Sequence, residues 1–303
     1  MAQITVVGGI NIDIEGSPFE KLKYQDSNPG KVHMAFGGVG RNITENIARL
    51  GGDVAMLSVI GDDQMGLAAK KELEQLGVDT SCIRVLEGEN TAMYLSILDD
   101  RKDMELALCD MDIIEAITPQ VLEENKAFLQ KSEMVALDGN LSESLMEYAT
   151  DMLEGTALFY DPVSAAKAIK AKNFIGCFHS IKPNIMEAEI LTDMKIESEE
   201  DVRKAGQIFI DKGVKRVFIT LNKDGVYYRD EHGEGFIRPK EDLKVVSATG
   251  AGDSFSATIM LGYVSGKTAE ETARMGMAAS SIAMESARAV NKEMNMEELL
   301  RRI

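Results

Sequence analysis

The chain has 303 residues, long enough to bury a large core, and its 33 basic against 50 acidic residues leave a formal net charge of -17. A surface of that sign repels a phosphate backbone, so a nucleic-acid polymer is excluded as the expected partner, while a small phosphorylated ligand in a local positive pocket is not. Cys82, Cys109 and Cys177 lie far apart without metal-ligand spacing, and no apolar run reaches the ~20 residues of a membrane helix, which predicts a cytoplasmic protein with reduced thiols and no membrane partner.

Ile4-Thr-Val-Val7 predicts a short strand ending in Gly8-Gly9. The Asn11-Ile-Asp13 that follows then falls at the carboxyl edge of a sheet, where open α/β sheets keep their ligands. Residues 26–31 read as a turn and 31–36 as an exposed strand, with His33 a surface residue of it. Gly37-Gly-Val-Gly-Arg-Asn42 opens an amphipathic helix with Ile43, Ile47 and Leu50 on one face and Gly51 as its C-cap.

Strand 54–60, turn 61–63 and helix 65–76 form a βα unit, and 91–98 with 104–108 form a hairpin around 99–103. These extra strands interrupt an alternating βα series and predict a small sheet standing off the main domain. Alternation resumes with helix 118–130, strand 134–137, helix 142–153 and strand 157–160. Asp138 and Asp161 each follow a strand directly and share the ligand edge with Asn11 and Asp13. Residues 181–191 carry Asn184-x-x-Glu187, 217–220 is the next strand, and Gly225 closes a tight turn into a hairpin with 226–228.

Residues 243–246 predict a strand that feeds Thr249-Gly-Ala-Gly-Asp253 and a helix over 253–264, with further helices at 269–285 and 296–302. A glycine-rich turn entering a helix leaves N–H groups unpaired and points the positive end of the helix dipole outward, which suits a phosphate. Asp253 at that join is either a helix cap or a general base for the group attacking the phosphate. The first strand leads into no G-x-G-x-x-G, which argues against a dinucleotide-dependent oxidoreductase.

Together, Gly37-Gly-Val-Gly-Arg-Asn42, Lys182-Pro-Asn-Ile-Met-Glu187 and Gly250-Ala-Gly-Asp253 resemble, in order and spacing, the signatures of the PfkB or ribokinase-like kinases. The resemblance implies an α/β fold: a three-layer α/β/α domain spanning 1–303 with a mostly parallel sheet, and a small β-sheet lid formed by about 12–36 and 90–110. It implies ATP-dependent phosphorylation of an alcohol, with Asp253 as base and Gly250, Ala251 and Gly252 as anion hole. Asp13, Gly37, Gly38 and Asn42 would hold sugar hydroxyls. Asn184 and Glu187 would hold Mg²⁺ through water, beside a nucleotide contacted near Thr220 and Gly225. Thr249 would bond the phosphates or shape the turn.

Six stretches, at 26–31, 37–42, 88–91, 94–96, 138–141 and 161–164, resemble the branch of that family that phosphorylates the nucleoside pseudouridine. This adds Asn11, Ser27, Asn28, Thr91, Tyr94 and Asp138 as residues around the base. Val39 stands where sugar kinases often carry Lys, and an apolar residue there suits a nucleobase. Ser247 stands where the family often has an Asp that helps hold a monovalent cation, which leaves cation activation open. The family also implies a homodimer formed through the lid. The alternatives are a kinase of another nucleoside or of a sugar, and a non-catalytic sensor that binds nucleoside and ATP.

Overall fold

The computed structural model describes residues 2–239 and 245–303. Its strands, in chain order, are β1 (Ile4–Val7), β2 (Asn11–Pro18), β3 (Gly30–Gly37), β4 (Val54–Gly61), β5 (Ile83–Leu86), β6 (Ala92–Leu98) and β7 (Met104–Asp110). Then follow β8 (Met134–Asp138), β9 (Ala157–Asp161), β10 (Ser180–Ile181), β11 (Arg216–Thr220), β12 (Val226–Asp230) and β13 (Gly233–Ile237). The helices are α1 (Val39–Arg49), α2 (Gln64–Gln75), α3 (Pro119–Glu124), α4 (Lys126–Leu129), α5 (Glu143–Met152) and α6 (Ala165–Ala168). They continue with α7 (Ile185–Thr192), α8 (Glu199–Lys212), α9 (Ala251–Val264), α10 (Ala269–Met284) and α11 (Met296–Arg302).

Nine strands form one sheet in the order β13-β12-β11-β10-β9-β8-β1-β4-β5. Its members run parallel except β12, which is reversed and pairs antiparallel with β11 and with the edge strand β13. The central strands are apolar on both faces because helices cover both. Ile4 and Val6 of β1 pack with Ile43, Ile47 and Phe255 on one side, under α1, α2, α9, α10 and α11. Val7 of the same strand packs on the other side with Leu137, Leu145 and Phe209, under α3 to α8. Period-two alternation thus shares a single apolar run between two cores, as the three-layer expectation requires.

From β1 the chain proceeds outward through β4 and β5, then returns to lay β8 on the opposite side of β1. That reversal opens a crevice beyond the carboxyl ends of β1 and β8, the place where such sheets bind ligands. Asp138, the last residue of β8, bridges it from inside: Oδ2 accepts from the N–H groups of Gly9 and Gly40, both at 3.1 Å.

Four strands form the separate sheet, in the order β3-β2-β6-β7. Its register puts Asp13, Ala35, Tyr94 and Cys109 in one row, and Ile14, Met34, Leu95 and Leu108 in the next. Adjacent rows point to opposite faces, so the face of Asp13 and Tyr94 is polar while the other is aliphatic.

Two sequence expectations change. The helix expected over 118–130 is broken at Asn125, whose side-chain N–H bonds the Val121 carbonyl at 2.8 Å and whose backbone leaves the helical region. The strand expected at 243–246 falls partly outside the described residues. Val245 and Val246 belong to no sheet, and the Val246 N–H bonds the Met284 carbonyl at the end of α10.

Candidate active site

Gly250, at φ 79°, is the N-cap of α9, and a Cβ on it would overlap the carbonyl of Ala289. Only glycine fits both constraints. Replacing it with alanine is expected to abolish most activity and lower the melting temperature markedly; a Gly250→Ala variant that melts like the wild type would contradict this close approach. The turn engages the Ala251 N–H with the Ala248 carbonyl at 3.3 Å. The open donors of the turn among the described residues are therefore those of Gly250, Gly252 and Asp253, so that of the Gly250 to Gly252 set expected from sequence only Ala251 is spent. Thr249 is exposed, and its N–H bonds Ser247 Oγ at 3.1 Å, which favours a turn-shaping role over phosphate contact.

Asp253 lies in the first turn of α9, facing the crevice. Its Oδ2 accepts from Asn42 Nδ2 at 2.9 Å, joining two glycine-led helix entries 211 residues apart in sequence. Burial, with the charge of Asp161 behind it, pushes this carboxyl up to about 7, while the Asn42 bond and Lys182 pull the other way and Asp138 adds to the rise. A carboxylate tuned near neutrality beside a helix N-terminus has the character of a general base rather than of a cap. Among the described residues, no side-chain cap bond closes the N-terminus of this helix.

At the start of β2, Asn11 Nδ2 bonds Asp13 Oδ1 at 2.6 Å, and burial raises the Asp13 carboxyl against the pull of Asn11 and Arg41. Gly37 has no Cβ because one there would overlap the Asp13 carboxylate, and Gly38, at φ 98°, presses against Gly9 in the same way. Asn11, Asp13, Gly37, Gly38, Asn42 and Asp253 thus gather at one place, with Tyr94 on the same face as Asp13.

Other expected residues fall elsewhere. Thr91 is buried and spends its hydroxyl and N–H on Asp63, at 2.5 and 2.7 Å, while also accepting from the Gly61 N–H. Asp138 is spent on Gly9, Gly40 and Asn140. Both are internal ties rather than pocket walls, corrections that follow from polar groups satisfying their nearest backbone donors. Ser27 and Asn28 occupy an exposed turn at the far end of the small sheet, where Asn28 bonds Lys23 and Asp26.

On the other side of Asp253 a cleft of about 1100 Å³ opens. Val39, Lys182, Asn184, Glu187, Thr220 and Gly225 line it, together with the apolar Ile237, Val245, Met277 and Met284. Asn184 and Glu187 form a reciprocal cap on α7, each side chain accepting from the other's N–H at 2.9 and 2.8 Å. Thr220 pairs with Asn184, and Gly225, at φ 97°, immediately precedes β12.

Sequence reasoning gave no role to Lys182 or to Asp161. Lys182 Nζ is buried 3.4 Å from Asp161 Oδ2 and beside Gly252. Burial opposes its charge, yet Asp161, Glu187 and Asp253 together hold the ammonium above its ordinary value. Asp161 is itself bonded by Ser256 Oγ at 2.6 Å and by the Val163 N–H at 3.0 Å. Val163 holds φ 67°, unusual for a β-branched residue and a sign of backbone held under constraint at the cleft wall. The signal available in sequence was position: Lys182 follows a strand directly, at the same edge as Asp161.

A model of the pfkB family carbohydrate kinases matches residues 1–295. The pseudouridine kinase of Escherichia coli K12 is 35% identical over 297 residues, which cover 98% of this chain and 95% of that protein. The crystal structure of a candidate sugar kinase from Clostridium perfringens superposes with a TM-score of 0.92 at 34% identity, covering 99% of this chain and 95% of that one. Arabidopsis thaliana ribokinase, solved with ribose and ATP, shares the fold with a TM-score of 0.87 at 21% identity, over 99% of this chain and 98% of its own. With its three motifs brought together around Asp253 and a family match over nearly its whole length, the chain belongs to the pfkB family of carbohydrate kinases, sugar or nucleoside kinases of ribokinase-like fold.

Proposed function

We propose that this kinase transfers the γ-phosphoryl group of ATP to the ribose 5′-hydroxyl of pseudouridine. The observation that carries the chemistry is the Asn42–Asp253 contact at the N-terminus of α9, between the acceptor residues and the large cleft. Asp253 accepts the hydroxyl proton as that oxygen attacks. The open N–H groups of Gly250, Gly252 and Asp253, and the Lys182 ammonium, meet the charge that develops on the transferred group. Asn11, Asp13 and Asn42 orient the ribose hydroxyls, and positioning carries much of the rate. Similarity to the Escherichia coli pseudouridine kinase along the whole chain supports the acceptor. Val39 borders the cleft and packs on the core, which fits an apolar contact better than a sugar bond.

The donor set suits Mg²⁺ held through water. No group of three metal-ligating side chains occurs among the described residues, and Glu187 keeps one oxygen free of its cap bond. Asn184 and Glu187 would hold the ion with the nucleotide, where it supplies neutralising charge on the phosphates. The whole arrangement argues for turnover over a sensor, since a binding protein has no use for a carboxylate beside a phosphate. ADP release with ATP, Mg²⁺ and pseudouridine, and a 5′-phosphate product by mass and NMR, is the expected result. ATP binding with no turnover on any hydroxyl acceptor would favour the sensor.

The small sheet is the lid in this reading, closing over the acceptor to exclude water as a competing nucleophile. Its outer face exposes Val32, Met34, Leu106 and Leu108 around half-buried Ile14, Leu95 and Ile97. Such a face supports a homodimer through the lid, because a two-layer sheet sandwich buries it. Gel filtration is expected to show a dimer at micromolar concentration, converted to monomer by Leu106→Asp with Leu108→Asp; a monomeric wild type would contradict it. Residence in the cytoplasm belongs to the same proposal. No helix among the described residues is long and apolar enough to cross a membrane, and the three cysteines are unpaired.

A further inference from the structure

Arg41 is almost wholly buried in α1, yet no step assigned above uses it. Its Nη1 donates to the Phe36 carbonyl at 3.2 Å and to Asn42 Oδ1 at 3.3 Å. Its Nη2 lies 2.6 Å from Glu45 and 3.4 Å from Glu72 of α2, and the guanidinium covers the Phe36 ring at 5.8 Å. Glu45 is in turn held by Arg49 at 2.7 Å. The guanidinium therefore joins three things: the last turn of β3 before Gly37, the acceptor-binding helix, and the Asn42 amide.

The amide is where this matters. Arginine can only donate, so the Asn42 atom facing it must be the carbonyl oxygen. Once that oxygen is fixed, the amide nitrogen is left to face Asp253, the orientation that favours an ionised base. With the amide turned over, the Asn42 oxygen would confront the Asp253 carboxylate instead. The same cation also acts on Asp13 across the acceptor site. Resting on the kinase reading above, we propose that Arg41 is a positioning residue: it locks the Asn42 amide toward Asp253 and couples that orientation to the β3 end of the small sheet through the Phe36 carbonyl.

A bare Arg41→Met change would leave Glu45 as a buried charge short of a partner and could unfold the chain. The test is therefore a double-mutant cycle in a Glu45→Gln background, with Arg41→Met and Asn42→Ala made singly and together, and Arg41→Lys in the wild type. Readouts are kcat for the acceptor and Kd for ATP. Arg41→Met is expected to lower kcat about 10–100-fold with the ATP Kd within about twofold, as loss of orientation does. In the Asn42→Ala background the same change should cost less than about threefold, since there is no amide left to orient. Arg41→Lys should not rescue, because one ammonium cannot reach the Phe36 carbonyl, the Asn42 oxygen and both glutamates together.

An equal loss with and without Asn42, or full rescue by lysine, would overturn the proposal and leave Arg41 a purely structural cation. Wild-type turnover in the same assay keeps the two readings apart. If the wild type prefers another acceptor, the cycle is run on that acceptor and still decides the role of Arg41. If it phosphorylates none, the kinase reading falls and this inference with it.

Discussion

Asp253→Asn is expected to lower kcat by about 10²–10⁴-fold while leaving the Kd for ATP within about twofold. The asparagine can keep a contact with Asn42 and fill the same volume, but it cannot take a proton from the attacking hydroxyl. The pH dependence carries the sign. The base works ionised, and burial with Asp161 nearby pushes its carboxyl up to about 7. Wild-type kcat/KM should therefore rise about tenfold per pH unit below that value and level off above it. The residual rate of the variant should lack this limb.

The same shift has a consequence for stability. A carboxyl whose folded value lies above its ordinary 3.8 favours the fold below that ordinary value, and the advantage is lost as pH rises through about 7. Wild type thus carries the cost of a buried charge at pH 8 that it carries only in part at pH 5. The melting temperature of Asp253→Asn relative to wild type should be higher at pH 8 than at pH 5, read by calorimetry at both. A variant that gains nothing between the two would mean that Asp253 is better solvated than its position beside Asp161 implies. Stability given up at a catalytic group is a familiar trade.

Lys182→Met is expected to lower kcat/KM by about 10²–10³-fold, the scale for removing one preorganised donor from a charge-developing site. Its ammonium lies beside Gly252 of the α9 turn, 3.4 Å from Asp161, and feels the charge of Asp253. Two effects must be separated, because the substitution also leaves Asp161 with one partner fewer. Pairing it with Asp161→Asn removes the stranded charge and should restore much of the lost stability without restoring the rate. If the double variant recovers activity as well as stability, Lys182 is a counter-ion to Asp161 and no more.

The main sheet was legible because its strands are buried on both faces, so that Ile4 to Val7, β-branched throughout, and Met134 to Leu137, wholly apolar, stand out between glycine or polar stops. Three strands of the small sheet were legible from their alternation and the hairpin at 99–103, but β2 was not, because Asn11, Asp13 and Glu15 read as a polar loop after β1. α8 received no element from sequence, although Ser198 caps it through Asp201 and Gly213 ends it in the left-handed region. Its charged first turn, Glu199-Glu-Asp201, masks the buried stripe of Val202, Ala205 and Phe209. β5 and β13 are short edge or near-edge strands that propensity alone does not separate from loops.

Within the site, Asp253, the glycine turn and the Asn184–Glu187 pair could be picked out because each is a local pattern. Lys182 and Arg41 could not, because their meaning is tertiary. Asp161 is 21 positions before Lys182 in the chain, and Asn42 matters to Arg41 only through Asp253 at the other end of the sequence. Thr91 and Asp138 failed for the converse reason. Both stand at the ligand edge, but each has backbone donors close enough to consume it, which a linear pattern does not reveal.

The proposed function turns most directly on the identity of the acceptor. Internal competition among equimolar pseudouridine, uridine, adenosine, ribose and fructose, with limiting ATP and Mg²⁺ and the phosphorylated products resolved by mass and chromatography, reads the kcat/KM ratios in a single reaction. The expected result is pseudouridine 5′-phosphate in excess of every other product by at least about two orders of magnitude. A dominant sugar phosphate or adenosine monophosphate would contradict the assignment of pseudouridine while leaving the Asp253 chemistry in place.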